Sequence, residues 1–410
     1  MTKNENFLNQ GFNLVELIKA LLNNTKPVLK DANFKHIYQL AKIHSLQNML
    51  YYAINHYQKF GYKDVNVEVL KQLTKDHQFA ITRTATQEAE LEVLEQEFEA
   101  NKIDYCVLKG SVLKHYYPSV DMRSMADIDI YFDKTKVKDV KKMMLKLGYR
   151  VETYKKGNHD CYLKDPFMNL EMHRELVHDR LEFTKYYDDY FKNLVKVDGK
   201  EHKYEFKEED FYLFLTAHSA KHCAEGGTGI RTIVDQFIYL ENKKDVLDRE
   251  YLKVELEKLG LNLYEENLTK LAYFWFSKED MEKHYKDRSL KKEYELMMKM
   301  SNFIFGSGTY GTVQNAILND FVGEDEIKNL RASKFKNLMK LAFPPYSFMK
   351  DRYPCLRKLP LLLPFTYLHR LIKAAFKNKD TVKSKYSNNS NVTIEQIEEK
   401  KNAWKTLTTY

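Results

Sequence analysis

Residues 126–132 read ADIDIYF, an apolar, strand-forming run interrupted twice by aspartate. Side chains alternate faces along a strand, so Asp127 and Asp129 project together while Ile128 and Ile130 face a core on the other side. Two neighbouring carboxylates raise each other's pKa, so the pair needs something to offset its charge. Mg2+ suits the task, because it prefers oxygen ligands and commonly takes one or two carboxylates together with substrate phosphates. The strand therefore demands a fold in which one face is packed and the other is open to a charged ligand.

A third acid is available downstream. In NLEMHREL, Asn169, Glu171 and His173 share one face of a strand-like run, with Leu170 and Met172 on the other. Placed beside ADIDIYF, this run brings three carboxylates to one sheet edge. Two would hold metal, and Glu171 would orient or deprotonate an attacking hydroxyl. His173, next to Glu171, is a candidate for positioning substrate or for a structural role. Upstream, LKGS ends a short strand and opens a helix. Gly110 lets backbone approach a ligand, Ser111 offers a hydroxyl and a helix cap, and a helix N-terminus favours phosphate. Lys109 either touches phosphate or ends the strand.

The pattern along the chain divides it into four parts. Residues 1–100 read as helices, including ATQEAELEVLEQEFEANK with Leu91, Leu94 and Phe98 on one stripe. Residues 101–207 mix short strands and helices: YCVLKG, SVLKHYY stopped by Pro118, ADIDIYF, a helix carrying Val137, Val140, Met144 and Leu147, then YRVETY, HDCYLKD and MNLEMHREL. Residues 208–330 return to helix, with EEDFYLFLTAHSAKHCAE and RTIVDQFIYLENK on either side of a glycine turn. Residues 331–410 form a basic segment that holds five of the eight prolines. The fold class is thus α/β or α+β, a small mixed sheet flanked by helical regions.

Charge is uneven. Of the net +8, the stretch from Arg331 to Lys385 carries 14 Lys/Arg against 2 Asp, so the basic character belongs to the C-terminal segment. The four cysteines lie far apart without a C-x-x-C pair, which argues against a zinc ribbon or a disulfide scaffold. The polar start MTKNENFLNQ lacks the apolar core of a signal peptide, and no run of about 18 apolar residues predicts a spanning helix. The expected location is cytoplasmic.

The order strand, Gly-Ser, helix, D-x-D strand and later acid on a strand resembles the nucleotidyltransferase fold of the DNA polymerase β superfamily. VLKGSVLKHYYP, an arginine, DIDIYF and then LEMH look more closely like a bacterial group of nucleotidyltransferase family proteins. TAHSAKH, GIRTIVDQ and GTYG look like that group's later segments, and FPPYSFMKDRYP like its C-terminal part. The resemblance implies transfer of a nucleotidyl group from a nucleoside triphosphate such as ATP, with Mg2+ as cofactor and loss of pyrophosphate. Carried over by position, Gly110 and Ser111 would hold the triphosphate, with Lys109 beside them. Asp127 and Asp129 would bind metal, and Glu171 would be the third carboxylate. The spacer between Ser111 and Asp127, 15 residues, is longer than the superfamily's usual one. The bacterial group tolerates this length because the loop carries an arginine, here Arg123, whose fork suits phosphate.

Other motifs have blander readings. His218 and His222 are four apart on a helix, without the adjacent glutamate of H-E-x-x-H, so they are expected near the cleft or in the core. Lys221, Arg231 and Asp235 share that helical pair and are candidates to face the substrate. GSGTYG, residues 306–311, follows a helical pattern and reads as a tight loop. RKLPLLLPFTYLHRLIKAAFKNK is apolar, aromatic and basic at once. Leu361, Leu362, Leu363 and Phe365 are expected to dock onto the helical domain, with an anionic membrane surface as the other destination. The acceptor is expected to be a hydroxyl on a small molecule or a protein, with RNA less favoured. The rival from another class is a non-catalytic binding protein that keeps the fold and docks through its basic segment.

Overall fold

In the computed structural model the described residues are 3–177, 182–225, 227–287, 290–308 and 330–377, with isolated positions between 387 and 394. Four helices open the chain: α1 (Lys3–Asn23), α2 (Phe34–Ile43), α3 (Gln47–Lys59) and the long α4 (Val67–Ala100). The stripe expected on α4 is real, since Leu94 and Phe98 are fully buried against the sheet that follows.

The mixed α/β unit begins with β1 (Tyr105–Val107) and the single turn α5 (Gly110–Leu113). Next come β2 (Ile128–Phe132), α6 (Val137–Lys146), β3 (Arg150–Lys156), β4 (His159–Lys164) and β5 (Met168–His173). Two short strands, β6 (Val195–Lys196) and β7 (Lys203–Glu205), complete a seven-stranded sheet of order β3-β4-β5-β2-β1-β7-β6. The pairs β2–β5 and β1–β7 are parallel and the others antiparallel.

Alternation along these strands separates two chemistries. Ile128, Ile130 and Phe132 of β2, with Leu170 and Met172 of β5, point to one face and pack with Leu94, Phe98, Val140 and Met144. Cys106, Leu108 and Tyr131 point to the other face, toward a helical body. Asp129, between Ile128 and Ile130, shares that second face.

The helical body consists of α7 (Glu208–Glu225), α8 (Ile230–Lys243), α9 (Arg249–Leu259), α10 (Asn262–Phe276), α11 (Met281–Asp287) and α12 (Lys291–Ser307), joined by α1 to α3. The first and third parts read from the sequence therefore share one core. Phe12 of α1 meets Phe305 of α12 edge to face, and Phe305 stacks on Trp275 of α10. Gly11 makes this possible, because a Cβ there would collide with the Phe305 ring. His44 ties the same seam, with Nε2 3.1 Å from the Phe305 carbonyl oxygen and Nδ1 accepting the Ile230 N–H at 3.2 Å. The Gly-rich match at 306–311 starts inside α12, and residues 309–311 lie outside the described residues.

Among the described residues the C-terminal apolar run belongs to neither core, although Leu362 and Leu363 are half-buried. Leu361 and Phe365 are exposed, and among the described residues neither core includes a side chain beyond Phe305. The reason is orientation: the helix Leu363–Lys377 turns polar groups inward. The Tyr367 hydroxyl donates to the Pro344 carbonyl at 2.6 Å, and Arg370 Nη1 donates to the Ala342 carbonyl at 3.2 Å.

Candidate active site

The register of two parallel strands builds the site. Asp129 on β2 stands directly beside Glu171 on β5, both on the face turned to the helical body. Asp127 immediately precedes β2. Antiparallel pairing of β4 with β5 sets His159 opposite His173. A cleft of about 330 Å³ lies between this sheet face and α7 and α8, and all three expected carboxylates line it.

One oxygen organises the charges. Asp129 Oδ1 accepts from Lys109 Nζ at 2.8 Å and lies 2.7 Å from His173 Nε2. Burial works against the Asp129 charge, but Lys109 and His173 outweigh it and hold its carboxyl far below the ordinary value. Burial also pulls the Lys109 ammonium down, and Asp129 more than restores it. For Glu171, burial opposes ionisation while the neighbouring histidines favour it, and the net effect lowers its pKa. Its Oε2 is 3.5 Å from His173 Nε2 and 3.6 Å from His159 Nε2.

Asp127 differs. Burial, with Asp129 and Glu171 nearby, pushes its pKa up to about 6. The cluster is thus short of positive charge at this one carboxylate, and a divalent cation would make up the deficit. Asp127 and Asp129 offer oxygen donors to such an ion, but neither belongs to the set of three converging ligand atoms found among the described residues. The oxygen donors suit Mg2+. One ligand atom each of His159, Glu171 and His173 lie within 4.8 Å of one another, an imidazole and carboxylate set that also suits Mn2+.

The phosphate-side residues are placed differently from expectation. Lys109 holds φ +49° and ψ −115° at the head of α5. A side-chain-bearing residue in such a conformation costs on the order of 1–3 kcal/mol. The Lys109 amine reaches Asp129. Ser111 is not the cap, because Lys109 occupies that position and makes no side-chain bond to the helix. The Ser111 hydroxyl is buried, 3.9 Å from Met125 Sδ, and is not among the cleft-lining residues. Gly110 does line the cleft, but the close approach it permits is from the protein itself: a Cβ there would clash with the Arg123 guanidinium and stand 2.8 Å from Met125 Sδ.

Arg123 was expected on a phosphate, and its fork has another partner. Nε and Nη2 each donate to Asp235 of α8 at 2.8 Å, and the Tyr117 hydroxyl donates to the same carboxylate at 2.6 Å. Asp121, two residues earlier, accepts 2.8 Å from Asn48 Nδ2 and 2.9 Å from the Tyr52 hydroxyl on α3. The long spacer between Ser111 and Asp127 is therefore a strap pinned to two helices. Asp235 thus faces Arg123 as well as the cleft.

The opposite wall carries His218, Lys221 and His222 of α7 and Arg231 of α8. His218 and His222 meet Nε2 to Nε2 at 3.0 Å. Burial, then the cations nearby, keep both well below the usual histidine value, His222 at about 4. They are neutral hydrogen-bonding groups set among cations. His159 escaped the sequence reading; its signal is the H-D-C-Y strand, readable only once β4 is registered on β5.

A family model described as "Uncharacterised nucleotidyltransferase" matches residues 30–277, more than half of the chain. The match runs from the N-terminal helices through the sheet to the end of α10. No curated protein and no solved structure matches the chain significantly.

Proposed function

The chain belongs to this family of uncharacterised nucleotidyltransferases, and on that premise we propose that it moves a nucleoside monophosphate group from a triphosphate, ATP or a relative, to a hydroxyl acceptor with release of pyrophosphate. The observation that carries the reading is the register of Asp129 beside Glu171, with Asp127 short of compensating charge. A fold that never bound a cation would carry the cost of Asp127, a carboxylate whose burial and acidic neighbours oppose its charge.

In this reading Asp127 and Asp129 would hold Mg2+ or Mn2+ for the triphosphate. When bound, the cation neutralises phosphate charge and polarises the reacting phosphoryl group. Glu171, kept ionised by the imidazoles, accepts the proton of the acceptor hydroxyl. The acceptor oxygen bonds to the α-phosphorus, and the α–β anhydride bond breaks to release pyrophosphate. Lys109 keeps a positive charge at the carboxylates while the cation is away. Lys221 and Arg231 across the cleft favour the anionic triphosphate. The neutral pair His218 and His222 offers hydrogen bonds to sugar or base without adding charge. A small molecule or a protein side chain suits the cleft as acceptor better than RNA, because the strongly basic stretch lies in the C-terminal segment outside it.

The test is incubation of purified protein with Mg2+, labelled nucleoside triphosphates and a panel of hydroxyl acceptors. Label transfer by the wild type and its loss in Asp129→Asn are expected. Equal turnover by both proteins removes the assignment.

A further inference from the structure

The C-terminal helix Leu363–Lys377 is built inside out. Its inward side holds Tyr367 and Arg370, which bond the carbonyl oxygens of Pro344 and Ala342, and buried Thr366, which bonds the Leu363 carbonyl of its own helix. Its outward side holds Phe365, Leu368 and Ile372, which are 69%, 57% and 50% exposed, and Leu361 just before it is 90% exposed. The spacing of these four is that of one helical stripe. Earlier in the segment, on the helix Leu330–Ala342, Phe335 is 65% exposed, and Met339 and Phe343, just past the helix end, follow at four-residue steps and are exposed too.

The segment that carries the apolar row is basic. Residues 331–377 contain 11 Lys/Arg and a single acid, Asp351. Lys340, Lys358 and Lys373 are exposed. No helix among the described residues is long and apolar enough to cross a membrane, and this one spans 15 residues. At about 1.5 Å per residue it falls short of a bilayer core of about 30 Å.

We propose that this segment seats the protein on an anionic phospholipid surface, with the row from Leu361 to Ile372 in the interface and the lysines among the headgroups. Charge complementarity selects the occupant. A protein core would have taken the apolar row inward, as both cores do elsewhere in the chain. Nucleic acid would use the cations and the aromatic rings but has no use for Leu361, Leu368 and Ile372. An anionic bilayer uses both halves of the pattern, because buried apolar area and basic charge add in interfacial binding. Such seating would hold the cleft beside lipid-borne hydroxyl acceptors, although the proposal does not depend on the chemistry in the cleft.

The experiment uses the full chain, sedimented with vesicles of phosphatidylcholine alone or mixed with phosphatidylglycerol. The wild type is expected to partition onto the mixed vesicles, to leave them as salt is raised, and to ignore the neutral ones. Phe365→Glu with Ile372→Glu is expected to weaken partition at least about tenfold, while circular dichroism and the melting temperature stay as in wild type. Asp129→Asn is expected to bind vesicles normally, which separates this proposal from the catalytic one. Failure to bind mixed vesicles, equal binding to both kinds, or wild-type binding by the double variant overturns it. So does tight binding of labelled single-stranded RNA without vesicle binding, which would assign the basic face to nucleic acid.

Discussion

Lys109 Nζ lies 2.8 Å from Asp129 Oδ1, and both side chains are largely buried at the end of the cleft. The ammonium holds a charge that the carboxylates need when no cation is bound. Lys109→Met leaves Asp129 with His173 alone. The cation-free protein is expected to lose about 3 kcal/mol, typical of breaking a buried pair. Mg2+ is then expected to restore more of the melting temperature in the variant than it adds to the wild type. Thermal unfolding with and without Mg2+ measures this, and equal gains in both proteins would contradict it.

Conservative amides probe the carboxylates without changing their shape. Glu171→Gln is expected to lower turnover by about 100-fold or more, in the range of a lost proton acceptor. Asp129→Asn is expected to weaken cation binding as well as turnover. Isothermal titration with Mn2+ and a labelled-triphosphate assay separate the two effects. A Glu171→Gln enzyme with wild-type turnover would deny the residue its role.

Cation binding should depend on pH through Asp127. Its pKa is raised to about 6, so it is largely protonated below that value and an incoming cation must displace the proton. Affinity is expected to fall by up to about tenfold per unit below pH 6 and to level off above it. The sign for stability is the reverse. A carboxyl whose folded pKa is raised binds its proton more tightly in the folded state, so this group favours the fold of the cation-free protein as pH falls through about 6. Asp127→Asn should flatten the pH dependence of Mn2+ binding, and an unchanged slope would reassign it.

The strap between α5 and β2 is testable through its anchor. Asp235→Ala strips the carboxylate from both Arg123 and Tyr117 and is expected to cost about 3 kcal/mol in denaturant unfolding. Arg123→Lys keeps the charge but not the two-pronged geometry, so it should fall between that variant and wild type. A Asp235→Ala protein as stable as wild type would mean that the strap is held elsewhere.

The acidic strand was legible because its signal is local. Alternation in ADIDIYF and NLEMH fixes which residues share a face, and Asp129 with Glu171 needed only adjacency of the two strands to meet. The amphipathic helices α6 and α8 were equally direct. What escaped depends on partners distant in sequence. Arg123 and Asp235 are 112 residues apart, and a bidentate pair leaves no trace in either neighbourhood. His159 enters the site only through the register of β4 on β5. The strands β6 and β7 have two and three residues, too few for a period to show. The C-terminal run misled for a different reason. Its composition announces an apolar face but not the direction in which that face turns, and the bonds of Tyr367 and Arg370 decide that.

The seam that joins Phe12 and His44 to Phe305 has a bearing on biosynthesis. His44 finds its carbonyl partner 261 residues further along the chain. While the protein is being made, the opening helices must wait with apolar surface uncovered until α10 and α12 leave the ribosome. The earliest part of the polypeptide is thus among the last to reach its final neighbours, and a chain released before Trp275 and Phe305 would expose that surface to chaperones and proteases.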